Sequence, residues 1–273
     1  MLAMKIGLIG AGRMATALAR GFVNARVVDA AAIRASDPSE TARASFSREV
    51  PGATVDNDNR VVASRASVVW LAVKPQMMSA ALGEIHEALS SDALVVSIAA
   101  GITLDRLASG LADGQRIVRV MPNTPCLIGR GASCYSLGRH ATADDGKLVA
   151  KLLSSVGAAF EVPESQLDAV TGLSGSGPAF VYSMIEALAE GGVAAGLPPQ
   201  LAAELAARTA AGAGQMVLET GETPAVLRDR VTSPGGTTQA GLAVLEERAF
   251  GDAVAAAVTA ATRRSEELGR TSK

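Results

Sequence analysis

The run KIGLIGAGRMATAL, from Lys5 to Leu18, constrains the fold more than any other stretch of the chain. It reads as an apolar strand, a glycine turn and a helix start in direct succession. Gly10 and Gly12 stand at the first two places of the dinucleotide fingerprint. The first glycine makes the tight turn and the second lets backbone approach a pyrophosphate. Ala15 takes the third place, where the helix must pack closely on the strand. The helix then offers unpaired N–H groups and the positive end of its dipole to phosphate. Apolar residues at helical spacing follow, at Leu18, Ala19, Phe22 and Val23, so the turn has the context that a dinucleotide site requires.

A chain of 273 residues holds one large domain or two of ordinary size, and two are expected. A formal net charge of −2 provides no electrostatic footprint for nucleic acid or for an anionic membrane surface. No apolar run approaches the ~20 residues needed to cross a bilayer, and the stretch from Met1 to Met4 is too short for the apolar region of a signal peptide. Whether translation starts at Met1 or Met4 stays open. Cys126 and Cys134 have no histidine beside them and read as reduced thiols of a cytoplasmic protein. His86 and His140 lack an acidic or cysteine partner at ligand spacing, so both read as surface residues and no metal is expected.

The chain alternates strand-like and helix-like segments as far as Pro163. Ala32 to Asp37 reads as the second strand. An acidic residue at its end usually accepts from the adenosine ribose 2′-OH, which makes Asp37 a pointer to NAD. Ser36 and Ser39, with Arg34 or Arg43 supplying charge, leave a 2′-phosphate open as well. Buried strands are predicted at Val68 to Val73, Leu94 to Ile98 and Arg116 to Met121. Helices are predicted at Gln76 to Leu89, Leu104 to Leu111 and near Asp144 to Ser155, with further strands at Gly131 to Leu137 and Ala158 to Val162. Ligands bind beyond the carboxyl ends of such strands, so the strand breaks and the glycine turn should line one crevice. After Pro163 alanine-rich helical segments dominate: Pro178 to Ala195, Pro198 to Glu219, Thr237 to Glu247 and Asp252 to Leu268. The predicted fold is α/β: a doubly wound sheet of Rossmann type over residues 1–163, then an all-α domain over 164–273. Helices apolar over wide faces of small residues, as at Ala202, Ala206 and Ala210, call for a subunit interface.

Two stretches of the helical half carry chemistry. GLSGSGPAF, from Gly172 to Phe180, reads as a flexible glycine-serine turn opening a helix, with Pro178 in its first turn. VTSPGGTTQAGL, from Val231 to Leu242, reads as a loop from which Gly236 or Thr237 starts a helix whose free N–H groups can hold a carboxylate. With AVKPQ from Ala72 to Gln76 and MPNTP from Met121 to Pro125, these stretches resemble the pyrroline-5-carboxylate reductase family from Gly7 to about Glu247.

The resemblance implies a Rossmann domain followed by a helical dimerisation domain, in a homodimer that can assemble further into a decamer of dimers. It also implies hydride transfer from NADPH or NADH to the imine of 1-pyrroline-5-carboxylate, giving L-proline. Carried over to this chain, the cofactor contacts fall on Gly10, Ala11, Gly12, Arg13, Met14, Ser36, Asp37, Asn57, Val73, Lys74 and Ala100. The substrate contacts fall on Glu164, Ser176, Gly177, Ser233, Gly236, Thr237 and Thr238. The resemblance gives Thr238 the catalytic role, a hydroxyl on the ring nitrogen. An imine accepts hydride readily, so placement and electrostatics suffice without a histidine. The glycine signature at Gly172, Gly175 and Gly177 also resembles that of β-hydroxyacid dehydrogenases. However, Val181 and Ile185 occupy the places of that family's lysine and asparagine.

Overall fold

A computed structural model describes residues 4–271, with side chains as far as Gly269. A start at Met1 lies outside the described residues. The chain divides into two compact units, one running to Gly175 and resuming at Ala260, the other Ser176–Thr259.

The first unit is built on an eight-stranded sheet in the order β3-β2-β1-β4-β5-β6-β7-β8. Its first half comprises β1 (Ile6–Ile9), α1 (Arg13–Asn24), β2 (Ile33–Ser36), α2 (Glu40–Glu49), β3 (Thr54–Asp56), α3 (Asn59–Ala63) and β4 (Val68–Leu71). The chain continues through α4 (Met78–Ile85), β5 (Leu94–Ser97), α5 (Leu104–Ser109) and β6 (Arg116–Met121). The sheet is completed by β7 (Gly131–Leu137), α6 (Ala143–Ser154) and β8 (Gly157–Glu161), and the short helix α7 (Leu167–Val170) follows. β7 runs antiparallel to β6, and every other neighbouring pair is parallel.

The predicted apolar runs are buried on both faces because alternate side chains feed two separate cores. Leu8, Trp70, Val96 and Val118 pack with Phe22 of α1 and Leu152 of α6. Ile9, Val69, Leu71, Val95 and Ile117 pack on the other face with Leu82, Ile85 and Leu107. Gly7 is needed between them, since a Cβ there would lie 2.9 Å from Ala66 and 3.0 Å from Val62, beneath α3. The predicted strands agree with the observed ones to within one or two residues. Thr54–Asp56 and helices α2 and α3 had no prediction: β3 has only three residues and its burial is partial, so it shows no apolar run.

The second unit contains α8 (Gly177–Ala194), α9 (Pro199–Thr220), α10 (Pro224–Arg230), α11 (Thr237–Glu247) and the first part of α12 (Phe250–Thr271). Only Ala202 and Ala206 are buried in this unit. Leu188, Val193, Leu201, Leu205, Val244 and Leu245 stand exposed.

The compact units do not divide at residues 163 and 164. α7 packs on β6 and β7, and a π-helical turn, Thr171–Gly175, follows it and meets Met121 at the end of β6. The end of α12 returns to the first unit, where Ser265 donates to Asp168 at 2.7 Å and Gly269 sits against Gly101.

Candidate active site

The glycine turn sits at the carboxyl end of β1, beside the carboxyl end of β4, where the sheet order reverses. Gly10 has φ +101°, and a Cβ on it would lie 2.7 Å from the Ala72 carbonyl oxygen. Only glycine fits there. Its N–H donates to the Ser36 carbonyl at 2.7 Å, which ties the turn to β2. Gly12 is different. A Cβ on it would meet nothing within 4 Å, so the space above the turn is open. Gly12 caps α1 without a side-chain hydrogen bond, and the first intrahelical bond runs from Thr16 N–H to Gly12. The N–H groups of Arg13, Met14 and Ala15 therefore have no acceptor inside the helix, and no acidic residue occupies its first turn. These are the features of an anion cradle.

Asp37 leans over the same turn: its Oδ2 accepts from Ala11 N–H at 3.0 Å and its Oδ1 from Ser39 N–H at 2.9 Å. Val73 packs against the core behind the turn, Lys74 is exposed ahead of Pro75, and Ala100 is half-buried after β5.

Three expected contacts have other partners or another placement in the structure. Ser36 is fully buried, and its hydroxyl donates to Asn59 Oδ1 at 2.7 Å, so it braces β2 against α3 and offers nothing to a ligand. Asn57 is exposed and lines a different space, an open groove of about 1330 Å³ that no glycine-turn residue borders. Asn59 is the asparagine joined to the end of β2. It also donates to Glu84 at 2.6 Å. Glu164, expected on the substrate, is engaged inside the first unit. Its Oε1 accepts from Leu104 N–H at 2.7 Å, at the start of α5, and from Arg119 at 3.1 Å. Arg119 is buried and also faces Asp168 at 3.4 Å. The arginine in the middle of β6 was the available signal, because a buried cation requires acidic partners.

Cys126 and Cys134 are free thiols, both pushed up from the ordinary range by burial, and neither is a ready nucleophile. His86 and His140 are exposed, as expected.

The two motif stretches lead into helices of the second unit, α8 and α11. The Gly172 stretch is not a loose turn: the π-helical turn runs straight on to Ser176, which caps α8 through its backbone. Consecutive helical hydrogen bonding through Gly175 makes it stiffer than its composition suggests. In the Val231 stretch, Gly235 has φ +72° and its N–H donates to Gln239 Oε1 at 2.6 Å, which closes the loop onto its own helix. Gly236 is the N-cap of α11, and a Cβ on it would collide with the Ser233 side chain. With Ala240 N–H bonded to Gly236, the N–H groups of Thr237, Thr238 and Gln239 have no acceptor within α11. Thr237 occupies the first helical position and makes no cap. The hydroxyls of Thr237 and Thr238 have no hydrogen-bond partner among the described residues.

Two family models match separate parts of the chain, and the later one along the chain begins at residue 164, the boundary expected from the sequence. A family model for pyrroline-5-carboxylate reductase dimerisation matches residues 164–268, and one for coenzyme F420-dependent NADP oxidoreductases matches residues 5–101. The chain is 45% identical over 266 residues to a pyrroline-5-carboxylate reductase of Methanosarcina acetivorans, covering 97% of this chain and 98% of that one. Against a pyrroline-5-carboxylate reductase of Arabidopsis thaliana it is 46% identical over 267 residues, covering 97% and 96%. The crystal structure of a Plasmodium falciparum pyrroline carboxylate reductase with NADP bound superposes with a TM-score of 0.89 at 33% identity, covering 98% of this chain and 99% of that one.

Proposed function

The chain belongs to the pyrroline-5-carboxylate reductase family, and from that premise we propose how its residues divide the reaction. It is an NAD(P)-dependent oxidoreductase that reduces the imine of 1-pyrroline-5-carboxylate to L-proline, the last step of proline biosynthesis. When bound, the reduced nicotinamide cofactor supplies the hydride.

The glycine turn from Gly10 to Met14 holds the pyrophosphate on the free N–H groups of α1, with Asp37, Val73, Lys74 and Ala100 along the cofactor's length. Ser176, Gly177, Ser233, Gly236, Thr237 and Thr238 form the substrate side. Glu164, bonded to Leu104 N–H and Arg119 within the first unit, stands as a further candidate for the substrate. The observation that carries this assignment is the uncapped start of α11, three free N–H groups beside two unpartnered hydroxyls. The N–H groups suit the substrate carboxylate. The Thr238 hydroxyl suits the ring nitrogen, where a hydrogen bond orients the imine and stabilises charge as hydride reaches carbon. Steady-state reduction of the imine by purified protein, with kcat and KM measured on variants at Thr238, tests the division of roles.

The second unit works as a dimerisation surface. A helical unit with two buried alanines has no core of its own, while an apolar groove of about 770 Å³ runs along α8 and α9 past Tyr182, Ile185 and Val193. A second copy of the chain covers it, and a decamer of dimers is the larger assembly to be looked for by light scattering. Two free thiols accord with a cytoplasmic setting.

A further inference from the structure

We propose that this chain selects NADH over NADPH and that Asp37 makes the selection. The inference rests on the reading of the glycine turn as the cofactor site, which the open space at Gly12 and the free N–H groups of α1 fit. Asp37 stands directly after the last residue of β2, where the adenosine ribose of a dinucleotide on that turn is recognised.

Its carboxylate is fixed there at both oxygens, by Ala11 N–H at 3.0 Å and by Ser39 N–H at 2.9 Å. An ionised carboxylate has about four acceptor positions, so two remain for the vicinal ribose hydroxyls. Those hydroxyls can donate. A 2′-phosphate carries ~1.5 to 2 negative charges at neutral pH and repels the carboxylate, which two backbone donors hold in place.

Of the groups that would welcome a phosphate, Ser36 is consumed, while Ser39 and Arg43 are partly engaged. Ser36 is buried and donates to Asn59. The Ser39 hydroxyl caps α2, accepting from Ala42 N–H at 3.3 Å. Arg43 directs one guanidinium nitrogen to the carbonyls of Asp37 and Pro38, at 2.8 and 2.9 Å. Arg34 lies within β2, upstream of its carboxyl end. The end of β2 is thus organised around holding an acid in place.

The test is calorimetric titration of the full chain with NADH and with NADPH, repeated on D37S and D37N. The wild-type chain should bind NADH at least about 10-fold more tightly. D37S should narrow or reverse the ratio, chiefly by tightening NADPH. D37N keeps an acceptor for Ala11 and should fall between, which covers the case in which D37S does not fold. Equal affinities, or tighter NADPH, in the wild-type chain would overturn the selection while leaving the glycine turn as the cofactor site. A wild-type ratio unchanged in folded D37N would overturn the role of Asp37. Binding of neither cofactor would overturn the site assignment and the selection with it.

Discussion

The contrast between Gly10 and Gly12 shows how one turn uses the same residue for two different reasons. At Gly10 the backbone lies in the left-handed region, and a Cβ would press on the Ala72 carbonyl, so Gly10→Ala should destabilise the first unit by roughly 1–3 kcal/mol in urea denaturation. Gly12 has room for a side chain in the free chain, so Gly12→Val should leave the unfolding midpoint nearly unchanged. Calorimetry on that variant should find NADH and NADPH affinity lost, because the branched side chain fills the space proposed for the pyrophosphate. Unchanged affinity would mean that the turn is only structural. At Thr238 the expected loss is kinetic. Thr238→Ala should lower kcat by roughly 10- to 1,000-fold, with KM much less affected, as ~1.4 to 4 kcal/mol of transition-state stabilisation disappears. Thr238→Ser should recover much of it. A wild-type kcat and kcat/KM in Thr238→Ala would leave positioning to the backbone N–H groups alone.

Among the elements, β6 and the ends of α5, α7 and α12 are joined by one polar cluster in addition to apolar packing. Arg119 projects from β6 and meets Glu164 and Asp168, while Ser265 of α12 donates to Asp168 and the start of α5 donates to Glu164. Arg119→Met removes the shared cation and should cost about 2–3 kcal/mol in urea denaturation, less than for a fully buried pair because both carboxylates keep some water. Glu164→Gln retains an acceptor for Leu104 N–H and should cost about 1 kcal/mol. Its kinetic effect separates two roles for Glu164. A small change in stability with a KM raised many-fold would place the carboxylate on the substrate after all.

For the molecule as a whole, the exposed apolar faces of α8 and α9 imply that folding and association are coupled. Each tenfold dilution should lower the melting temperature by roughly 2–5 °C. Val193→Glu, in the groove between the two helices, should shift light scattering toward a poorly stable monomer. A well-folded monomer of the wild-type chain at micromolar concentration would overturn the coupling.

The sequence by itself determined the alternation of strands and helices, the glycine turn and the two motif-bearing helix starts. Those features depend on residues close together in the chain: runs such as Val68 to Leu71 for burial on both faces, Gly10 and Gly12 for the turn, Gly235 and Gly236 for the start of α11. Asp37 was legible for the same reason, as the residue that follows a strand. Tertiary structure alone decided which polar side chains are free. Ser36 looks available in the sequence, yet its hydroxyl is consumed by Asn59 of another element. Asn57 and Asn59 are neighbours in the chain but face different partners. Glu164 is separated from Arg119 by many residues, and nothing local reveals their bond. The unit boundary was hidden in the same way, since the return of α12 to Asp168 and Gly101 is a long-range contact. A hydrogen bond between distant residues depends on the path of the whole chain, and a residue's type records only that it has a bond to make.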